Sequence, residues 1–525
     1  MEKASNSRAA EYLFLGIILC IAAFLFLFNL GNQYLWQDEA ETACVSRTIL
    51  KHGIPLGYDG RNFFSQITGD CNSSYVWRYH PWLPFYILAA FFKLFGISTF
   101  IARLPFALFG VATVILAYFF AKLITKDKKT AALTTILLMI SVPFIILSRQ
   151  CRYYAPTAFF SLLGLYGYLL LLEKSRKGSI ILTVSAALLF QSNYVSCAIL
   201  LVTIFTHALI FHRPLLAKVL IICLIVVSVN IPWLILASGM KYDVLYSHGF
   251  FGRDFSFILK DYLLNIHYYV FPYFLLLIPL GRAVYLYLKH KSIKAVVPED
   301  MFLRENLLLL SLFIVYTIAI LTIMSPTPFF RYLSPLIPVF CAITAIIITT
   351  AANRHFTAVI STAGVLFVAT FLADYRYEKV YPDRQGIKYL NIFDYLDEIT
   401  HDYDGPIEGI VKYLNKHGSK DDIVVVTGED LPLKFYTDKR IVRGYTAEVL
   451  SPARQAKWII HRKCNLYNID KALKAYQVKN LRRKDYDAIE IDYPDIPDEN
   501  RESPAEHHFR TILNEDRVVI YKKLN

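Results

Sequence analysis

"EYLFLGIILCIAAFLFLFNLGNQYLWQDEAETA", Glu11 to Ala43, sets the reading of this chain. From Tyr12 to Leu30 it is apolar over a length that crosses a bilayer as a helix of about 20 residues. The run is long for a secretory signal, and no A-x-A-type cleavage site follows, so it reads as a retained span. Immediately after it come Asp38, Glu39 and Glu41. On a helix Asp38, Glu41 and Thr42 share one face. Acids at a helix start favour the macrodipole, and that bland reading has to be weighed against a chemical one.

Working outward, similar apolar runs recur through the 525 residues, of which 55% are hydrophobic and 18% charged, with mean hydropathy +0.41. Spans are predicted at 12–30, 102–124, 131–148, 157–173, 179–195, 197–212, 217–237, 262–288, 305–324, 333–352 and 356–373. The fold class is therefore a polytopic α-helical membrane protein of about eleven spans. Residues 83–95 are short and carry Lys93, as an interfacial helix does. Alternate connections hold Lys3/Arg8, Lys122/Lys126/Lys128/Lys129, Lys174/Arg176/Lys177, Arg213/Lys218, Lys289/Lys291/Lys294 and Arg354. Basic loops stay cytoplasmic, so the N-terminus is expected inside. The first loop (31–84) and the region after an odd number of spans then lie outside, as in a bacterial inner membrane.

The chain divides at about Asp374. Residues 374–525 carry 26 Lys+Arg against 27 Asp+Glu, while residues 1–373 carry 29 against 15. The net charge of +13 thus sits in short loops between apolar runs, which marks topology and excludes a nucleic-acid-binding face. Residues 374–525 read as a soluble, extracytoplasmic α/β domain. Ile407, Ile410, Val411 and Leu414 repeat at helical spacing before Gly418, and "DIVVVT", "YDAIEID" and "RVVIYKK" read as strands. There is no Gly-rich phosphate loop, CxxC pair, HExxH or visible repeat. Cys20, Cys197, Cys223 and Cys341 read as small core residues, whereas Cys44 and Cys71 share the outer loop, where a disulfide is open to them.

Further outer connections supply cations beside aromatics. "WRYHPWLPFY" gives Arg78 and His80, "SRQCRYYAP" gives Arg149, Arg152, Tyr153 and Tyr154, and "FFRYLSPLIP" gives Arg331 and Tyr332. Interfacial Arg and Tyr commonly anchor spans. Several such connections around one carboxylate cluster also suit an anionic lipid and a nucleophile.

"WQDEAETA", "RYHPWLPFYILAAFFKLFG", "ARLPFALFGVATVILAYFFAKL" and "RYLSPLIP" together resemble the GT-C membrane glycosyltransferases. The nearest branch is that of the protein O-mannosyltransferases and the ArnT-like aminoarabinose transferases of lipid A. The resemblance covers roughly residues 10–350. His80-Pro81-Trp82 stands where that branch often has Lys-Pro-Pro, and its acidic residue after the third span has no match in "SRQCRYYAP".

The resemblance implies transfer of a sugar from a polyprenyl-monophosphate donor to an acceptor hydroxyl or phosphate on a lipid, protein or glycan, with inversion. A hydroxyl needs a carboxylate to take its proton, Asp38 first and Glu39 second. A leaving phosphate needs cations and donors, for which Arg78, His80, Arg149, Arg152, Tyr153, Arg331 and Tyr332 are candidates. No cofactor is expected; a metal would find only Glu39 and Glu41. The alternatives are a lipid or sugar transporter or flippase, or a structural envelope subunit. A transporter places ionisable groups inside spans, where this chain has few, among them Lys122, Arg282 and His207.

Overall fold

The computed structural model describes residues 2–64, 69–238, 254–291, 301–325, 327–351, 392–402, 404–443, 456–462, 486–496, 504, 507 and 516–524. Helix α1 (Glu2–Leu27) is followed by two helices of the first loop, α2 (Gln37–His52) and α3 (Leu83–Phe95). Then come α4 (Thr99–Thr125), α5 (Lys128–Met139), α6 (Val142–Ser148), α7 (Tyr154–Leu172), α8 (Arg176–Ser192), α9 (Tyr194–Phe211) and α10 (Leu216–Ser238). The membrane part continues with α11 (Phe255–Tyr269), α12 (Leu277–His290), α13 (Met301–Met324) and α14 (Leu336–Ala351).

Among the described residues six helices are long and apolar enough to cross a membrane, or up to eight if each of two bent pairs is one span. The spans predicted at 131–148 and 262–288 are each a bent pair of helices. The first is α5 and α6, bent by 62°, and the second is α11 and the segment Tyr273–His290, which includes α12, bent by 80°. Pro272 lies in the second break, and Pro143 is the second residue of α6, just past the first; neither supplies an N–H to the ladder, and each crowds the preceding turn. Helices α8 and α14 are shorter than the long spans, and 356–373 lies outside the described residues.

The surface is that of a protein in lipid. On α10, Leu220, Ile221, Leu224, Val229 and Ile235 are exposed while Asn230 is buried. Asn230 accepts from Gln191 on α8 (2.6 Å) and donates to the Val226 carbonyl (2.7 Å). Hydrocarbon favours the apolar face outward, and the amide needs partners inside. The chain is an integral membrane protein. Where α7 meets α8, a Cβ on Gly167 would stand 2.7 Å from the Leu182 nitrogen. Glycine permits the close backbone approach common between membrane helices.

The bundle has two chemically distinct ends. At one, Glu11 of α1 pairs with Lys122 and with Lys128 (2.8 Å), and Lys126 pairs with Glu173. At the other lie α2, α3, the α6–α7 turn and the chain beyond the membrane helices. There α15 (Ile392–Thr400), α16 (Pro406–His417) and α17 (Asp430–Tyr436) accompany five strands, β1 (Ile423–Val426), β2 (Arg440–Arg443), β3 (Trp458–His461), β4 (Tyr486–Pro494) and β5 (Arg517–Lys523). The sheet order is β2-β1-β3-β5-β4, with β1 parallel to β2 and β3, and β5 antiparallel to β3 and β4. The helical spacing of Ile407 to Leu414 before Gly418 is α16, and the three predicted strands are β1, β4 and β5. The expected division at Asp374 lies outside the described residues.

This α/β unit packs directly on the first loop. Tyr395 and Ile399 of α15 enter the membrane core, and the Tyr395 hydroxyl donates to the Leu25 carbonyl at the end of α1. Leu431 and Phe435 of α17 join the core formed by α2, α3 and the start of α4. Cys44 is buried in that core with Cys71 against it; both thiols are free, so the disulfide left open to them is not formed.

Candidate active site

Helix α2 carries the acids. It starts after Trp36 and ends at Gly53, whose φ of 74° is the left-handed conformation glycine tolerates best. The three carboxyl groups point to three environments. Glu39 is fully buried and accepts from Arg103 Nε (2.8 Å) and Nη2 (2.6 Å), from the Cys151 N–H (2.7 Å) and from the Trp36 N–H (3.4 Å). Arg103 also donates to the carbonyls of Leu30, Gln33 and Tyr34. The geometry makes Glu39 a buried strut between α2, α4 and the α6–α7 turn, which leaves it poorly placed for the base role assigned second.

Glu41 receives Arg152 Nη1 at 2.8 Å, a nitrogen that also donates to the Asp38 carbonyl (2.9 Å) and Thr42 Oγ1 (3.0 Å). Burial pushes the Glu41 carboxyl up to about 7; Arg152 pulls it down, while Asp38 and Asp70 push it the same way as burial. Asp38 is the acid that keeps a face, with 16% of its side chain exposed. Its Oδ2 lies 3.1 Å from Arg331 Nη1 and 3.7 Å from Arg152 Nη2. Arg331, 293 positions away, sits in the turn Phe330–Leu333 with its guanidinium 3.9 Å from the Phe329 ring centroid.

The α6–α7 turn straps the first loop. Arg149 donates to the carbonyls of Phe26 (3.2 Å), Phe28 (2.9 Å) and Asn29 (3.3 Å), Gln150 accepts from Trp36 Nε1, Cys151 binds Glu39, and Arg152 binds Asp38 and Glu41. Arg149 thus caps the carbonyl end of α1, where a cation is favoured, and its candidacy as a phosphate ligand is corrected on that ground. Arg152 remains with the acids, and its buried Nε has no hydrogen-bond partner among the described residues.

His80 faces Arg152 Nη2 through Nε2 at 3.5 Å, and its ring lies 5.3 Å from that of Tyr153. A guanidinium only donates, so Nε2 is the acceptor and the ring proton sits on Nδ1. Burial, then Arg152 and Arg331, hold His80 well below its ordinary value against the pull of Asp38. The expected cation is therefore a neutral imidazole at pH 7. Tyr153 stands beside Arg152, and Tyr332 beside Arg331. Arg78 donates from Nε to the Gly69 carbonyl (2.9 Å), within its own loop.

Two contributors escaped the sequence reading. Arg103 stood in plain view in "ARLP", an arginine one turn inside an apolar span, where a charge demands a partner. Tyr79, beside His80, is in electrostatic reach of Tyr332, Tyr153, Asp70 and Glu41. For a metal, Glu39 and Glu41 face different arginines, and among the described residues no three His, Cys, Asp or Glu side chains are grouped to hold one.

The whole chain superposes on the crystal structure of ArnT from Cupriavidus metallidurans bound to undecaprenyl phosphate, with a TM-score of 0.57 over 98% of each chain at 12% identity. The chain has the GT-C fold. The apo state of the same ArnT matches the chain equally, with a TM-score of 0.57, 98% of each chain covered and 12% identity. Residues 79–234 match the family described as dolichyl-phosphate-mannose-protein mannosyltransferase. An uncharacterised protein of Aquifex aeolicus (strain VF5) is 29% identical over 153 residues, which are 29% of this chain and 28% of that protein.

Proposed function

We propose that this protein is a glycosyltransferase that moves a sugar from a polyprenyl monophosphate to an acceptor hydroxyl or phosphate at the outer face of the membrane. The observation that carries the reading is the Asp38 carboxylate, partly exposed at one end of the bundle between the guanidiniums of Arg331 and Arg152. In this reading Asp38 takes the acceptor proton as the nucleophile attacks the anomeric carbon with inversion. Arg331, with Nε of Arg152, receives the departing phosphate, and His80, Tyr153 and Tyr332 supply neutral donors around it. Phosphate is already a weak base, so cations serve it better than a general acid, and the proposed reaction uses no metal.

The GT-C fold, shared with an ArnT that was crystallised with undecaprenyl phosphate, supports a polyprenyl carrier. The lysine-lined end would face the cytoplasm and Asp38 the periplasm of a bacterial inner membrane. The acceptor is a lipid, protein or glycan of the envelope. The test is transfer of radiolabel from a panel of undecaprenyl-phosphate-linked hexoses and pentoses to envelope extract in detergent. Wild-type protein should transfer from at least one donor and Asp38→Asn should fall by about 10²–10⁴-fold. An Asp38→Asn variant within threefold of wild type would remove the base from this account.

A further inference from the structure

The first turn of α2 is held from a second side by α17. Gln37, the neighbour of Asp38, donates from Nε2 to Asp430 Oδ1 (2.9 Å), and its Oε1 accepts from the Leu431 N–H (3.2 Å). The other Asp430 oxygen receives Lys434 Nζ at 2.6 Å, and that ammonium also donates to the Phe63 carbonyl (2.6 Å). Gln37, Asp430 and Lys434 are all buried. Just upstream, the Leu35 N–H donates to the Tyr436 hydroxyl (3.0 Å), whose ring stacks on Tyr34 at 3.9 Å. Ten residues down α2, Arg47 donates to the carbonyls of Lys434 (3.1 Å) and Phe435 (3.0 Å).

Leu431 and Phe435 already attach α17 through an apolar patch, so attachment alone does not call for the polar contacts. Buried polar groups instead lose their hydration unless each bond is made in one geometry, so they fix orientation. Here that geometry is imposed on the residue next to the proposed base. We infer that α17 is a positioning element of the active site, with Asp430 clamping Gln37 so that Asp38 faces Arg331 and Arg152. The inference rests on Asp38 being the base. Through the clamp, the α/β unit becomes part of the catalytic apparatus.

Misplacement of a reacting group by about 1 Å can cost on the order of 10²-fold. Gln37→Glu sets a carboxylate against Asp430 and should lower kcat about 10–100-fold, while binding of undecaprenyl phosphate, measured by calorimetry, stays within threefold. Adding Asp430→Asn returns a donor opposite the new carboxylate and should recover most of the loss, which a variant that simply misfolds would not do. Amide exchange in a peptide covering residues 36–45 should quicken in Gln37→Glu and slow again in the double variant. A folded Gln37→Glu protein with kcat within threefold of wild type overturns the inference, as does a kcat loss without faster exchange in that peptide. Full activity of Asp38→Asn would sink the base assignment alone; the exchange result would still decide whether α17 clamps α2.

Discussion

Replacing Glu39 with glutamine separates two acids that adjoin in sequence and differ in duty. The Glu39 carboxylate accepts four N–H groups, from Arg103 twice, Cys151 and Trp36, and has no exposed surface. A carboxamide has the same shape, but one of its two terminal atoms is itself a donor. It would therefore meet at least one N–H head on, and Arg103, buried at 3% exposure, would lose its counter-ion. Removing one partner of a buried pair costs about 3–5 kcal/mol, a large share of the roughly 5–15 kcal/mol that holds a protein folded. Glu39→Gln should therefore lower the unfolding temperature in detergent clearly, and Arg103→Met should do the same. Asp38→Asn, at a carboxylate that keeps 16% exposure and leaves Arg152 its bond to Glu41, should cost less stability than Glu39→Gln while abolishing most transfer. A fluorescence-detected thermal scan, with transfer normalised to folded protein, reads both quantities. A Glu39→Gln protein that melts with wild type yet is as inactive as Asp38→Asn would refute the assignment of Glu39 to structure.

Arg331→Lys keeps a charge but loses the fork and the stacking on Phe329, so transfer should fall with little change in melting, and Arg331→Ala should fall further, by about 1.5–3 kcal/mol of barrier. Wild-type turnover in both would make Arg331 an interfacial anchor. Glu41 is raised from its ordinary 4.5 to about 7, so the folded state holds its proton more tightly than the unfolded one. Its contribution to stability is present below pH 4.5 and is lost as pH rises through about 7. Melting temperatures followed from pH 4 to 8 should show that decline in wild type and a flatter profile in Glu41→Gln. On a background without native cysteines, a cysteine at Lys128 should be shielded from an impermeant thiol reagent in intact cells and one at Asp438 should label; the reverse would invert the topology.

The long spans were legible because lipid imposes a length and a polarity on each of them. Helix breaks were harder to read: Pro143 and Pro272 interrupt apolar runs without changing their composition. Asp38 was legible as an acid out of place beside a membrane span. Arg149 and Arg152 look alike in "SRQCRYYAP", yet one caps α1 and the other serves the acids. That difference lies in where α1 ends and α2 begins in space, which a linear pattern does not encode. The pairing of Arg331 with Asp38 was hinted at by chemistry alone, since only folding closes 293 positions to 3.1 Å. Glu39 stood second to Asp38 as a base, in the same role, because nothing local announces that Arg103 claims it.

The separation of Gln37 from its clamp also has a temporal meaning. Asp430 follows Gln37 by 393 positions. At about 5–20 residues per second, synthesis of that interval takes roughly 20–80 s. During that time the nascent chain already has its acid helix, first without Arg331 and then without α17. On the proposed reading, a chain that stalls before α17 is made holds Asp38 without its clamp.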